Sequence, residues 1–105
     1  MMEPEEGRFT WAWLDEAIRI LDAEGLKVIL CTPTPTPPVW LTGKYPEVRM
    51  VDAAGRRQQH GTRQHACWSV AKYREQVAKI VHELGRRYGK DARVWGWQLD
   101  NELTH

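Results

Sequence analysis

WAWLDEAIRILDAEGLKVILC, residues 11–31, is the stretch that decides the fold. Residues 11–24 are predicted to form a helix, because apolar residues recur at the spacing of one helix face: Trp11, Leu14, Ile18 and Leu21. Gly25 then supplies a stop signal. Residues 26–31 are a short apolar and β-branched run before a series of prolines, which is typical of a buried strand. A helix, a tight turn and a strand make one αβ unit.

The same order of elements follows further along the chain. A second helix is predicted from Ser69, as its N-cap, to Gly85 or Gly89, with one apolar face made of Tyr73, Val77, Ile80, Val81 and Leu84. Residues 92–99 are predicted to form another strand. Helix, strand, loop, helix and strand in this order predict an α/β fold, with parallel strands, right-handed crossovers and helices on the outside.

The connection between the two units spans residues 32–68 and holds five of the six prolines. It has no sustained hydrophobic period, so we expect at most a short helical turn within it. Connections of this length are uncommon in compact domains and are usually functional.

The composition excludes several classes of protein. With 42% hydrophobic and 28% charged residues, the 105-residue chain resembles one ordinary globular unit. The 15 basic and 14 acidic residues give a net charge of +1, which creates no field for nucleic acid or an anionic membrane. No apolar run is long enough to span a bilayer and the first residues are acidic, so we expect a cytoplasmic protein. Two cysteines without CxxC spacing indicate reduced thiols.

Six tryptophans stand against one phenylalanine. A tryptophan face can stack on a sugar ring, but burial in a core is its commonest use, and we expect core packing for each of them. Cys31, at the end of the first predicted strand, is expected to behave as a small buried apolar residue.

Asn101 and Glu102 follow the second predicted strand. In α/β barrels the reacting groups lie at the carboxyl ends of strands. A carboxylic acid there can protonate a leaving group if its surroundings raise its pKa, and a neighbouring amide can hold a sugar hydroxyl. A regular strand would send the two side chains to opposite faces, so both can reach one pocket only if the chain bends. Taken alone, the pair is more often part of a solvated loop.

Several linked motifs, in order along the chain, make the signal specific. Together they resemble the glycoside hydrolase family 42 β-galactosidases over residues 9–102. The motifs are Trp13-Leu14-Asp15-Glu16-Ala17, Gly25-Leu26-Lys27-Val28-Ile29-Leu30, Thr32-Pro33-Thr34, Pro37-Pro38-Val39-Trp40-Leu41, Lys44-Tyr45-Pro46-Glu47, Tyr73-Arg74-Glu75 and Trp97-Gln98-Leu99-Asp100-Asn101-Glu102.

The resemblance implies a retaining β-galactosidase with a (β/α)8 TIM barrel. Residues 1–105 would be an incomplete N-terminal part of it, an α-β-α-β segment from the second helix to the fourth strand. Glu102 then matches the general acid/base, and Asn101 the amide beside it that contacts the sugar. Arg63, which alone would be taken as a surface charge, matches an arginine that holds galactose. Leu103 and Thr104 depart from the aromatic residue and glycine that the family usually has there.

The resemblance also bears on metals and partners. No cofactor is required, although Cys67 matches one ligand of a zinc site found in some members, whose other cysteines would follow residue 105. In the chain as given Cys67 is expected to be a lone thiol. The four histidines (His60, His65, His82 and His105) have no metal-ligand spacing. The expected partners are a β-galactoside or a related sugar, and other copies of the parent enzyme in a homo-oligomer.

A retaining glycosidase needs a second carboxylate, about 5–5.5 Å from the first, as nucleophile. By the resemblance it comes from a later strand, and Glu47, Asp52 and Asp100 do not match it. A barrel of this kind needs about 250 residues. We therefore expect the isolated chain to be inactive and to leave apolar surface and strand edges open.

Three other interpretations remain open. The substrate can be a related sugar such as an arabinopyranoside. The chain can instead be a non-catalytic carbohydrate-binding or assembly module. It can also derive from another barrel glycosidase, such as a cellulase or mannanase, although residues 37–41 and 45–47 argue against that.

Overall fold

The computed structural model describes residues 1–63 and 65–102. Two α-helices and two strands alternate as predicted, and the connection between the two units contains further short helices. The elements are α1 (Ala12–Ala23), β1 (Val28–Cys31), α2 (Val39–Lys44), a 3-10 turn (Pro46–Val48), α3 (Ala71–Tyr88) and β2 (Val94–Gln98).

The two strands pair in parallel, which confirms the predicted α/β arrangement. Val28 pairs with Val94, an irregularity follows, and the register then runs from Ile29 opposite Gly96 to Cys31 opposite Gln98. Both strands therefore end at the same edge of the sheet. The Thr32 amide continues the pairing there, with a 2.9 Å hydrogen bond to the Gln98 carbonyl.

The main core lies between the helices and one face of the sheet. Its buried members come from α1, β1 and α3: Leu14, Ile18, Val28, Leu30, Ile80, Leu84 and Tyr88. Ile18 and Leu84 are each only 1% exposed. Full burial of such side chains contributes about 1.5–3 kcal/mol each, so this cluster holds the two αβ units together.

The long connection is more ordered than its sequence predicts. It contains both α2 and a 3-10 turn, rather than at most one short helical turn. Pro38 and Pro46 explain the two helix starts, because a proline at or just before the first turn loses no helical hydrogen bond. Beyond them, backbone hydrogen bonds fold the segment back on itself, among them Met50 N to His65 O and Cys67 N to Val48 O, both 2.7 Å.

This connection has its own small core against α3, made of Leu41, Val48, Ala66 and Tyr73. Val48 is completely buried. The loop is thus a packed unit that carries its residues to fixed positions, which is how functional loops are usually built.

The prediction for the start of α3 is wrong in detail. The helix begins at Ala71 after an extended Val70, and Ser69 is not its cap. The reason is a turn before the helix, in which the Val70 amide bonds to the Cys67 carbonyl at 3.2 Å and leaves Ser69 outside. Gly85 lies within the helix, which ends at Gly89.

The buried face of α3 also differs from the predicted one. It comprises Tyr73, Gln76, Ile80, Leu84 and Tyr88, whereas Val81 is 38% exposed. Within residues 1–63 and 65–102, no helix has the length and apolar character needed to cross a membrane.

One face of the sheet is open, as expected for a two-stranded parallel sheet. Ile29 and Trp95 are 66% and 69% exposed. The strand β1, predicted to be buried, is buried on one face only, and Cys31, predicted to behave as a small buried apolar residue, is exposed. Helices cover only the side of the strand that carries Val28 and Leu30.

The tryptophans were predicted to pack in the core, but none of them is a fully buried core residue. Trp13, Trp68, Trp95 and Trp97 are exposed, while Trp11 and Trp40 are half-buried at the margins of the two cores. The physical reason is visible for Trp40, whose indole N–H donates a 2.8 Å bond to the Glu3 carbonyl. A partly buried indole ring is favoured where its N–H has a hydrogen-bond acceptor.

Candidate active site

The chain bends immediately after β2, where the sequence places Asn101 and Glu102. Asp100 and Glu102 have φ values of 58° and 39°. Residues other than glycine rarely adopt this left-handed backbone, although aspartate tolerates it better than most. The alternation of a regular strand thus ends before Asn101, and the bend that a shared pocket requires is present.

Asp100 anchors this bend. Its side chain is mostly buried, with the residue 9% exposed. One carboxylate oxygen, Oδ2, accepts a 3.0 Å hydrogen bond from the Trp68 indole N–H, and the other, Oδ1, accepts one of 2.8 Å from the Asn101 amide. The Asp100 amide donates to Thr32 Oγ1 at 2.9 Å. The turn is therefore attached to the end of β1 and to the segment before α3.

A second layer of hydroxyl groups supports these contacts. Thr32 Oγ1 already accepts from Asp100, so its own proton can be donated to Thr34 Oγ1, 3.1 Å away. The Tyr73 hydroxyl donates to the Thr34 carbonyl. Burial, reinforced by the negative charge of Asp100, raises the pKa of Tyr73 far above its ordinary value, so Tyr73 keeps its proton for this bond.

Gln98, the last residue of β2, orients the Asn101 side chain. Its Nε2 donates to Asn101 Oδ1 at 3.3 Å and to the Asp100 carbonyl at 3.2 Å. Its Oε1 accepts from Cys31 Sγ at 3.5 Å, across the two strands. Asn101 is half-buried, and its amide is held over the carboxyl edge of the sheet.

Arg63 and Glu102 come together at this edge. Arg63 reaches from the long connection and forms an ion pair with the Glu102 carboxylate, and both side chains remain exposed. The structure thus brings an arginine, a carboxylate and the Asn101 amide to one side of the sheet. Exposed ion pairs contribute only about 0–1 kcal/mol, so the guanidinium can exchange this partner for a ligand at little cost.

Cys67 belongs to no group of three or more metal-binding side chains among the described residues. It is half-buried, and its amide bonds to Val48. Within the described stretches, no three His, Cys, Asp or Glu side chains cluster closely enough to hold a metal ion. A tetrahedral zinc site needs four ligands, so Cys67 and the other described residues do not complete one.

The histidines have structural surroundings. His60 and His65 stack edge to face at 5.1 Å. His60 Nδ1 bonds to Thr42 Oγ1 at 2.8 Å, and His65 Nδ1 to the Thr62 carbonyl at 2.6 Å. His82 is exposed on α3. His105, Leu103 and Thr104 lie outside the described residues.

Sequence reasoning overlooked the groups that support the turn. The sequence indicates no supporting role for Asp100, which does not match the nucleophile, and it predicts core packing for Trp68. The available signal was positional: Thr32 and Asp100 each follow a predicted strand, and parallel strands end at a common edge.

Comparison with known proteins identifies the family. A model of glycoside hydrolase family 42, described as β-galactosidase, matches residues 1–105. The chain belongs to this family. A β-galactosidase of Thermus thermophilus is 55% identical over 102 residues, which are 97% of this chain and 16% of that protein. The β-galactosidase Bga of Halorubrum lacusprofundi is 45% identical over 103 residues, 98% of this chain and 15% of that protein.

Solved structures of family 42 enzymes contain the same segment. The β-galactosidase of H. lacusprofundi superposes with a TM-score of 0.90 at 45% identity, over 97% of this chain and 15% of that one. The cold-adapted β-galactosidase of Rahnella sp. R3 gives 0.93 at 38% identity, over 99% of this chain and 15% of that one. The chain thus has the α/β fold of a family 42 segment, and it spans 15–16% of the length of these relatives.

Proposed function

We propose that this chain supplies the acid/base half of a retaining β-galactosidase site. In this proposal residues 1–105 form the second helix to the fourth strand of a (β/α)8 barrel. The observation that carries it is the position of Glu102 in a chain of this family: it lies in the turn that follows β2, at the carboxyl edge of the parallel pair, where barrel enzymes place their reacting groups. The relatives named above are β-galactosidases.

Glu102 is proposed to act twice in one turnover. It first donates its proton to the glycosidic oxygen while a second carboxylate attacks the anomeric carbon and the leaving group departs. It then takes a proton from the water that hydrolyses the glycosyl-enzyme bond and is protonated again. The net reaction consumes one water and needs no cofactor.

The second carboxylate must lie about 5–5.5 Å from Glu102. Asp100 is not suited to this role, because both of its oxygens accept hydrogen bonds and it is mostly buried. We therefore assign the nucleophile to a later strand of the barrel. The 105-residue chain alone is accordingly expected to show no turnover of a β-galactoside.

Arg63 and Asn101 are proposed to bind the galactosyl group. A guanidinium offers five N–H donors in a fixed plane, which suits the hydroxyl and ring oxygens of a sugar. Its ion pair with Glu102 brings it next to the proposed acid/base. Asn101, steadied by Gln98, adds an amide on the same side. Any zinc in the whole enzyme would be structural, with Cys67 as one ligand.

A chimera tests this proposal. The aligned 102 residues of the T. thermophilus enzyme are replaced by those of this chain, and hydrolysis is measured with aryl β-galactosides of different leaving-group pKa. Glu102→Gln is expected to lower kcat/KM by about 10²–10⁴-fold for phenol-like leaving groups, since that is the usual contribution of general acid–base catalysis. Activated leaving groups such as 2,4-dinitrophenolate, which depart without a proton, should lose much less in the first step.

Glu24→Gln is the matched control. Glu24 is an exposed glutamate that follows α1 and precedes β1, so it lies away from the carboxyl edge of the sheet. Its replacement should leave all rates unchanged. Unchanged rates in Glu102→Gln, for every leaving group, would contradict the proposed role.

A further inference from the structure

Building on the function proposed above, we propose that Asp100 is a positioning residue whose carboxylate fixes the turn that presents Asn101 and Glu102 to the substrate. Asp100 does not touch the sugar in this proposal. It acts through the two residues that follow it, and through the loop that carries Arg63.

The first support is the number of polar groups that residue 100 engages. Its amide donates to Thr32, and its carbonyl accepts from Gln98. Its two carboxylate oxygens accept from the Asn101 amide and from the Trp68 indole. Every backbone and side-chain polar group of the residue is thus used, in a position that is 9% exposed.

The second support is where these bonds lead. Thr32 follows β1, Gln98 ends β2, and Trp68 precedes α3. Trp68 also belongs to the same connection as Arg63. The indole–carboxylate bond therefore joins the segment that carries the sugar-binding arginine to the turn that carries the acid/base. This hydrogen bond of 3.0 Å fixes the position of the segment that carries Arg63 relative to the turn that carries Glu102.

The third support is the backbone itself. The bond from the Asn101 amide to Asp100 Oδ1 closes a tight turn around a residue with φ of 58°. Asparagine adopts this backbone at least as readily as aspartate. An Asp100→Asn substitution therefore keeps the size and the backbone preference of the residue, but replaces one acceptor by an NH2 group that faces an N–H donor.

The test uses Asp100→Asn, Trp68→Phe and the double variant in the chimera with the T. thermophilus enzyme. A misplacement of about 1 Å can cost on the order of 10²-fold in rate. We expect Asp100→Asn to lower kcat/KM by on the order of 10- to 10²-fold for phenol-like leaving groups and to change kcat/KM little for the 2,4-dinitrophenyl substrate, because kcat/KM reports the first step, in which only the poorer leaving group needs the proton. Trp68→Phe removes the indole N–H that would face the NH2 group introduced by Asp100→Asn. The double variant should therefore recover part of the rate that Asp100→Asn loses.

A purely structural role for Asp100 gives a different pattern. It predicts an equal loss for all leaving groups and no recovery in the double variant, and either result overturns the proposal. If Asp100→Asn does not fold, Trp68→Phe alone provides the test, because it should show a smaller loss with the same dependence on the leaving group. An equal effect on all substrates in that variant also overturns the proposal.

Glu102→Gln separates this inference from the function on which it rests. If Glu102→Gln has no leaving-group dependence, the proposed function itself fails. If Glu102→Gln shows the dependence and Asp100→Asn does not, the acid/base assignment stands and only the positioning role of Asp100 is wrong.

Discussion

The Tyr88 hydroxyl donates a 2.6 Å hydrogen bond to the Asp15 carboxylate, which joins the last turn of α3 to the first turn of α1. The Arg87 guanidinium pairs with the same carboxylate. Because α1 leads into β1 and α3 into β2, this contact fixes the two αβ units relative to each other. The common strand edge that carries the candidate active site depends on that arrangement.

Asp15→Asn is predicted to destabilise the fold in a pH-dependent manner. The hydrogen bond from Arg87, and then that from Tyr88, hold the pKa of Asp15 below its ordinary value. A lowered pKa stabilises the folded state above the ordinary value of 3.8, and this contribution is lost as the pH falls through the folded pKa. Since the carboxylate is 38% exposed, we expect a loss of only about 1 kcal/mol at pH 7.

Urea unfolding of the chimera at pH 7 and near pH 3 measures this effect. The difference between Asp15→Asn and the parent should be present at pH 7 and shrink at acid pH. Asp22→Asn, at an exposed aspartate on the same helix, is the control and should change neither midpoint. A difference for Asp15→Asn that is the same at both pH values would contradict the linkage.

The sequence predicts the elements well because each has a local cause. The helix face of residues 11–24 and the apolar run of residues 26–31 require only periodicity and the Gly25 stop, and both recur in the structure. The end of α3 is less certain from sequence, since Gly85 and Gly89 are equivalent stop signals. The structure distinguishes them: α3 continues through Gly85 to Tyr88 and is capped by Gly89, where a Cβ would lie 2.4 Å from the Gly85 carbonyl oxygen.

The candidate site is predicted less completely, because its contacts join residues that are distant in sequence. Asn101 and Glu102 are placed by the strand that precedes them. The bond between Trp68 and Asp100, and the ion pair between Arg63 and Glu102, depend on how residues 32–68 fold back over the sheet. No local period encodes that path, so the contact of Trp68 with the turn could not be found from the sequence.

Arg63→Met is predicted to weaken substrate binding more than catalysis. A hydrogen bond from a charged donor contributes about 1.5–3 kcal/mol, so KM for a β-galactoside should rise roughly 10- to 150-fold. Arg63→Lys keeps the charge but not the planar donor fork, and should give an intermediate KM. Steady-state kinetics of the chimera provide both values.

Arg56→Met is the matched control for Arg63→Met. Arg56 lies in the same connection, is exposed, and pairs with Asp52 rather than with the candidate site. Its replacement should leave KM unchanged. An unchanged KM in Arg63→Met, or an equal rise in both variants, would rule out a specific role for Arg63 in sugar binding.

The 105-residue chain is predicted to self-associate through the open face of its sheet. Ile29 and Trp95 expose 66% and 69% of their surface, and the strands have unpaired edges among the described residues. Contiguous apolar surface and free strand edges both promote association. Sedimentation velocity at micromolar concentrations should therefore show species larger than 12.2 kDa. Ile29→Lys places a charge on this surface and should shift the distribution towards monomer, because burial of this side chain in a contact would then require desolvation of the charge. Val51→Lys, the same kind of change at a 50% exposed residue of the long connection, should not. A monomeric chain with a sharp, cooperative melt would show instead that the two αβ units form a self-sufficient fold.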